Sequence, residues 1–251
     1  GFSTLSSATS WAGADSSTMR IAVWNAQWAE VDHRRGASIR RELERIDADV
    51  IVLTEGSAAL LPDAGSIIEG GADWGYEVDD PHRRKVLLWS RTGWHDVDTL
   101  GHPELPPGRW ASGRTVGALG EVEIAGVCIP WSAAHVSTGR RDRSMWQEHL
   151  RYLEVLRGVM TRSSSLPLVL AGDFNQRIPR TRQPMRVAEA LAGALSGFEV
   201  LTSGEVEGHR FIDHVAVRGL RAAAPPAVIH RAIDGFEVSD HDGVFVDLDI
   251  A

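Results

Sequence analysis

The chain has 251 residues, enough to bury the core of one large α/β domain, and no shift in composition marks a linker that would divide it. Its hydrophobic share of 43% and charged share of 24% are ordinary for a globular protein, and no apolar run approaches the roughly 18 residues that a membrane span needs. A net charge of −8 excludes a protein that coats nucleic acid by bulk attraction, while leaving room for a local basic rim.

Cys128 is the one cysteine, so an intrachain disulfide and a multi-cysteine zinc site are both excluded. That usage fits a reducing compartment, and a cytoplasmic protein is expected. Residues 1–18 are rich in Ser, Thr and Ala, with no basic residue before Arg20 and no apolar segment of the kind a secretory signal carries. They read as a linker or expression remnant ahead of one domain over residues 19–251, with Phe2, Leu5 or Trp11 free to dock on it.

Met19 to Trp24 predicts a short strand ending at Asn25. Between Arg35 and Asp47, Ile39, Leu43 and Ile46 fall on one face of a predicted helix, with Arg and Glu on the other. Asp49 to Thr54 (DVIVLT) predicts a second buried strand ending at Glu55. The runs Ile67–Val78, Lys85–Ser90, Thr115–Leu119 and Glu121–Ile129 predict antiparallel strands, and the Pro/Gly-rich piece Gly101–Gly113 predicts a loop. Asp142–Met160 predicts a long helix, because Trp146, His149, Leu150, Leu153 and Leu156 fall near helical spacing.

Leu166 to Arg177 (LPLVLAGDFNQR) then predicts a buried strand that turns sharply at Gly172. Asp173 and Asn175 leave its carboxyl end two residues apart, where extended side chains share a face and can address one small object. A helix over Met185–Leu195 follows, then strands over Gly197–Thr202, Phe211–Val217 and Gly243–Leu248. Many antiparallel strands with few helices predict two packed sheets with helices outside, and no internal repeat is visible.

Polar residues that can meet at strand ends are Asn25, Glu55, Asp173 with Asn175, Asp213 with His214, and Asp240 with His241. Asp213 sits among Phe211, Ile212 and Val215, where a carboxylate needs a partner if it is buried. In this order the pieces are VWN at Val23–Asn25, LTE at Leu53–Glu55, GDFN at Gly172–Asn175, IDHV at Ile212–Val215 and SDH at Ser239–His241. From about Arg20 to Leu248 the chain resembles the endonuclease/exonuclease/phosphatase superfamily, which includes deoxyribonucleases, exonuclease III, apurinic endonucleases, inositol-polyphosphate 5-phosphatases and neutral sphingomyelinases.

The resemblance implies an α/β fold, a four-layered sandwich of two mixed, mostly antiparallel sheets packed face to face with helices on both outer faces. It also implies a metal-dependent phosphoesterase with Asn25, Glu55 and Asp240 as ligands of Mg²⁺ or Mn²⁺. Asp173 would orient or deprotonate the attacking water, and Asn175 would hold a phosphate oxygen or a second cation. His241 would contact the scissile phosphate, with its other nitrogen held by Asp213. Those residue types suit the chemistry, since oxygen donors favour hard cations and a charged imidazole offsets the phosphodiester's own charge.

Two positions depart from the superfamily pattern. Gln27 stands where nucleases often carry an acid, so a second cation should be held less well there. Cys128 stands at or near the usual His or Tyr; either His135 or metal-bound water takes over that duty, or Cys128 is simply a small buried strand residue. For substrate, basic clusters at Arg83–Lys85, Arg140–Arg143 and Arg177–Arg182 can rim a cleft, and Trp131 and Trp110 can stack on a base. Trp131, His135, Arg140, Arg177 and Asn175 are therefore the candidate substrate contacts. Without a lysine-rich pocket or long inserts, a monomeric nuclease acting on DNA or RNA is expected. A phosphatase or phosphodiesterase on a small molecule or lipid headgroup, and a weakly catalytic scaffold, remain as alternatives.

Overall fold

The computed structural model describes residues 18–161 and 165–251. Phe2, Leu5 and Trp11, and the predicted linker apart from Thr18, lie outside the described residues. In chain order the elements are β1 (Met19–Asn25), α1 (Arg34–Ile46), β2 (Val50–Gly56), β3 (Ser66–Glu69), β4 (Arg84–Ser90), β5 (His95–Asp98), β6 (Trp110–Gly117) and β7 (Gly120–Cys128). Then come α2 (Gln147–Met160), β8 (Leu168–Asp173), α3 (Met185–Ala194), β9 (Glu199–Val200), β10 (Asp213–Arg218), β11 (Leu220–Ala222), β12 (Ala227–Ile229), β13 (Ala232–Ile233), β14 (Phe236–Glu237) and β15 (Gly243–Ile250).

The first sheet runs β11-β15-β1-β2-β4-β3, with β12 also paired to β15, and within it β1 and β2 are parallel. The second runs β5-β6-β7-β8-β10-β9, with β7 and β8 parallel. β13 and β14 form a separate ribbon. Side-chain alternation explains the layering. Ile21, Val23, Val50 and Val52 face the other sheet, while Ala22, Trp24, Ile51 and Leu53 pack with Ile39, Leu43 and Ile46 of α1. Likewise Val169 and Ala171 face inward, whereas Leu168 and Leu170 lie beneath α2 and α3. A strand covered on both faces must be apolar at every position, which is why these strands read as unbroken apolar runs. The protein is thus a four-layered α/β sandwich of two mixed, mostly antiparallel sheets with helices on both outer faces.

α1 ends where Asp47 turns left-handed at φ 53° and its N–H bonds to the Glu44 carbonyl. α2 starts at Gln147, five residues later than its periodicity predicts, because Trp146 adopts φ 69°, which a right-handed helix does not accept. Its buried face, Tyr152, Leu153 and Leu156, is at most 1% exposed. Truncating a leucine such as Leu153 to alanine at such a site costs about 2–5 kcal/mol through lost contacts and the cavity left behind.

Other elements differ from their predicted limits. The strand predicted over Ile67–Val78 is only β3; its ladder stops after Gly70 bonds to the Val86 carbonyl, and residues 70–83 are irregular. β6 begins at Trp110, inside the predicted loop, because Trp110–Gly113 pairs in register with Ile124–Val127 and that ladder overrides the local glycine signal. At Gly172, φ is 134° and a Cβ would lie 2.0 Å from the Val127 carbonyl oxygen. The glycine therefore permits close approach of β7, and the strand continues through Asp173 before turning.

This topology sets up one edge. The parallel pair β1 and β2 ends at Asn25 and Glu55, and the parallel pair β7 and β8 ends at Cys128 and Asp173. β10 starts at that same edge with Asp213 opposite Asp173, and β15 starts just after Asp240 and His241.

Candidate active site

Asn25 and Asp173, both buried, join the two sheets: Asn25 Nδ2 donates to Asp173 Oδ2 at 3.1 Å. Asp173 Oδ1 accepts the Asn175 N–H at 2.8 Å, and Asn175 Nδ2 lies 3.0 Å from Asp173 Oδ2 and 2.8 Å from the Ile129 carbonyl oxygen. Asn175 is left-handed at φ 53°. The two side chains therefore meet through a tight turn that Asp173 itself closes, and not through the extended alternation that the spacing suggests. Phe174 between them is fully buried under α2 and α3.

Asp213 is completely buried and accepts from His241 Nδ1 at 2.5 Å. Burial alone would lower the His241 pKa, but the charge and hydrogen bond of Asp213, aided by Asp173 and Asp240, raise it to about 10. Asp173 is pushed up to about 7, first by burial and then by the neighbouring Asp213 charge, against the opposing pull of His241. The His241 loop is stitched to the first sheet. Its N–H donates to Ser239 Oγ at 3.1 Å, Ser239 Oγ donates to the Asn25 carbonyl at 2.7 Å, and Trp24 Nε1 donates to the His241 carbonyl at 3.0 Å.

Ligand atoms of Asp173, Asp213 and His241 lie within 4.8 Å of one another. An imidazolium has no lone pair to give a cation, so with His241 protonated this trio can handle protons and anions. A hard cation fits better at the neighbouring oxygens. Glu55 presents Oε2 beyond its contact with Lys85, Asp240 has a side chain 53% exposed, and Asn25 Oδ1 keeps a lone pair beside the bond it accepts from the Gln27 N–H. That set of amide and carboxylate oxygens suits Mg²⁺ or Mn²⁺. Asp213 Oδ1 is buried and has no hydrogen-bond partner among the described residues. Gln27 supplies nothing to that set, because its Oε1 accepts from Arg35 Nη2 at 2.9 Å.

Asn25, Glu55, Asp173, Asn175, Asp240 and His241 line one cleft of about 580 Å³. Trp131, 45% exposed, lines it too. The other substrate candidates lie elsewhere. His135 is buried behind Tyr76, with ring centroids 4.5 Å apart, and burial followed by the Arg140 charge lowers its pKa. Arg140 turns back to Glu148 at 2.9 Å, and Arg177 lines a different depression beside α3. Trp110 is buried among the residues under α2, which removes it as a platform.

Cys128 is a buried strand residue whose thiol burial pushes up to about 12, so at neutral pH it neither attacks nor donates a proton readily. Beside it lies a residue that motif reading misses. Arg109 is 2% exposed and lines the cleft; Nη1 donates to the Cys128 carbonyl at 3.1 Å, while Nη2 is itself buried and has no partner among the described residues. Lys85, named only within a basic cluster, donates to Glu55 Oε1 at 2.5 Å. Neither belongs to a motif, and only the β6–β7 and β2–β4 pairings reveal them.

A sequence model of the Endonuclease/Exonuclease/phosphatase family matches residues 22–241. The chain belongs to that family. No curated protein matches it. Among solved structures, D. rerio TDP2 humanized by 14 mutations aligns with a TM-score of 0.67 at 16% identity, covering 93% of this chain and 100% of that one. The 3′ phosphatase NExo from Neisseria, bound to a product DNA hairpin, gives 0.65 at 19% identity over 92% and 99% of the two chains. An AP endonuclease from Archaeoglobus fulgidus gives 0.65 at 15% identity over 91% and 98%. At these identities the likeness is one of fold, and this member of the endonuclease/exonuclease/phosphatase family must be read from its own cleft.

Proposed function

We propose that the protein is a divalent-metal-dependent phosphodiesterase that cleaves DNA or RNA by direct attack of water. The observation that carries this reading is the shared imidazolium: His241, raised to about 10 between Asp213 and Asp173, sits on a cleft whose other wall offers Asn25, Glu55 and Asp240. Mg²⁺ or Mn²⁺ held by those three residues would supply positive charge to the non-bridging oxygens of the phosphate.

His241 donates its Nε2 proton to a phosphate oxygen, while Asp213 fixes the ring through Nδ1. Asp173, raised to about 7, accepts a proton from the attacking water near neutral pH. Asn175 steadies Asp173 by donating its backbone N–H to Oδ1 and its Nδ2 to Oδ2. The exposed face of Trp131 gives a base a surface to stack on. Direct attack leaves no covalent enzyme intermediate. The neighbouring folds act on DNA in the cases of the NExo hairpin complex and D. rerio TDP2 complexed with single strand DNA product, which supports a nucleic acid substrate.

The test is a panel of plasmid, single-stranded oligonucleotide, RNA and bis-p-nitrophenyl phosphate with Mn²⁺ or Mg²⁺. Strand cleavage that EDTA abolishes, and that Asp173→Ala and His241→Ala lose, is the expected result. Cleavage of the small diester alone would replace nucleic acid by a small-molecule substrate, and no hydrolysis despite Mn²⁺ binding would overturn the enzymatic reading.

A further inference from the structure

The cleft holds a cation of its own where the divalent ion is proposed to bind. Lys85 Nζ lies 2.5 Å from Glu55 Oε1, with side chains only 10% and 20% exposed. The two residues face each other across β2 and β4, between the registered pairs Thr54–Val86 and Gly56–Arg84. The ammonium also lies 4.9 Å from the centre of the Trp28 ring, over its face, and the guanidinium of Arg83 lies 5.6 Å from the same centre.

That seat is built, not incidental. Gln27 and Trp28 are consecutive left-handed residues at φ 46° and 58°, a strained pair for side chains of their size. Two bonds hold them there: Gln27 N–H to Asn25 Oδ1 at 2.8 Å, and Trp28 N–H to the Glu55 carbonyl at 2.7 Å. Trp74 backs the indole at 5.4 Å and 15°. The ring that carries the ammonium is therefore tethered to Asn25 and Glu55, two of the residues proposed to hold the metal.

We propose that Lys85 is a resident counter-ion of Glu55 that yields the carboxylate when a phosphate ester enters, so that phosphate and divalent cation bind cooperatively. This rests on the proposed cation site at Glu55. A divalent ion approaching Glu55 alone meets an ammonium already on Oε1, and the two positive charges oppose each other. A phosphate oxygen in the cleft gives that ammonium another partner, beside the side chain of Arg83, which lines the same cleft. Glu55 is then free for the metal, and by linkage the metal tightens phosphate binding by the same factor.

Mn²⁺ binding, followed by electron paramagnetic resonance and calorimetry, tests this without turnover. A phosphorothioate-linked dithymidylate serves as the phosphate probe for the wild type, Lys85→Met and Lys85→Arg. In the wild type the dinucleotide should tighten Mn²⁺ binding roughly tenfold, within the usual range of coupling between sites. Lys85→Met should bind Mn²⁺ more tightly than wild type without the dinucleotide and lose most of the coupling, whereas Lys85→Arg should keep it. Mn²⁺ binding that is the same in wild type and Lys85→Met overturns the role of Lys85 and leaves the hydrolytic reading standing. Absence of Mn²⁺ binding from every variant overturns both. Should Lys85→Met fail to fold, the wild type alone decides, since Mn²⁺ affinity indifferent to the dinucleotide overturns the coupling.

Discussion

On the wall of the cleft built by the second sheet, Asp173 and Asp213 are 2% and 0% exposed and share the imidazolium of His241. On the wall built by the first sheet, Glu55 keeps a side chain 20% exposed, Asp240 one that is 53% exposed, and Lys85 balances Glu55. Buried charges cannot borrow water, so the second wall must carry its counter-charge within the fold and arrives with it in place. The first wall stays near solvent and can exchange its counter-charge. The comparison teaches that the two proposed tasks, handling the proton and phosphate and holding the cation, need different degrees of burial.

The sharpest way to break this comparison is to remove one carboxylate from each wall. Asp173→Ala should lower the rate of oligonucleotide cleavage with Mn²⁺ by about 10²–10⁴-fold, the span typical of a positioned proton acceptor, and should leave Mn²⁺ binding in calorimetry. Glu55→Ala should abolish both Mn²⁺ binding and cleavage. Because Glu55→Ala also leaves the mostly buried Lys85 ammonium without its carboxylate, the variant's unfolding stability should fall by up to about 3–5 kcal/mol. A Glu55→Ala protein as active as the wild type removes Glu55 from the site.

The next effect is on stability against pH. His241 has a folded pKa of about 10 against an ordinary 6.5, so its contribution is complete below pH 6.5 and is lost as pH rises to about 10. Asp173, raised from 3.8 to about 7, binds its proton more tightly when folded, so stability also falls as pH rises from 3.8 through about 7. Below pH 6.5 the buried His149 and His214, both lowered to about 4, add stability as pH rises and oppose Asp173, so the melting temperature of the metal-free protein should decline from pH 7 to pH 10. His241→Gln should flatten the part above pH 6.5, and an unchanged slope would contradict the shared imidazolium.

Smaller effects sharpen the contrast between cleft and surface. Trp131→Ala should raise KM for an oligonucleotide by roughly 5- to 100-fold, as expected for loss of one stacking surface, with little change in kcat. Arg177→Ala should leave both constants within about twofold, because a solvated charge away from the cleft is nearly neutral to the reaction.

The layers and the polar strand ends were legible because they rest on local pattern. Strands β1, β2 and β8 are apolar on both faces, and Asn25, Glu55 and Asp173 follow directly where those runs stop. What stayed hidden depends on partners distant in the chain. Lys85 reads as one member of a basic run until β4 pairs with β2 and sets it against Glu55. Arg109 lies in a Pro/Gly-rich stretch whose end becomes β6 only by pairing with β7. Arg140 shows the reverse, since its basic cluster looks like a phosphate rim until buried Glu148 claims it. Short strands such as β9, β13 and β14, two residues each, are defined by register and carry no periodicity of their own.

The most direct test of the account is the protonation of His241 in the metal-free protein, read from its ring ¹⁵N chemical shifts across pH. The account predicts a doubly protonated ring at pH 8, with titration near pH 10 that Asp213→Asn moves sharply downward. A ring that titrates near its ordinary 6.5, unaffected by Asp213→Asn, would contradict it.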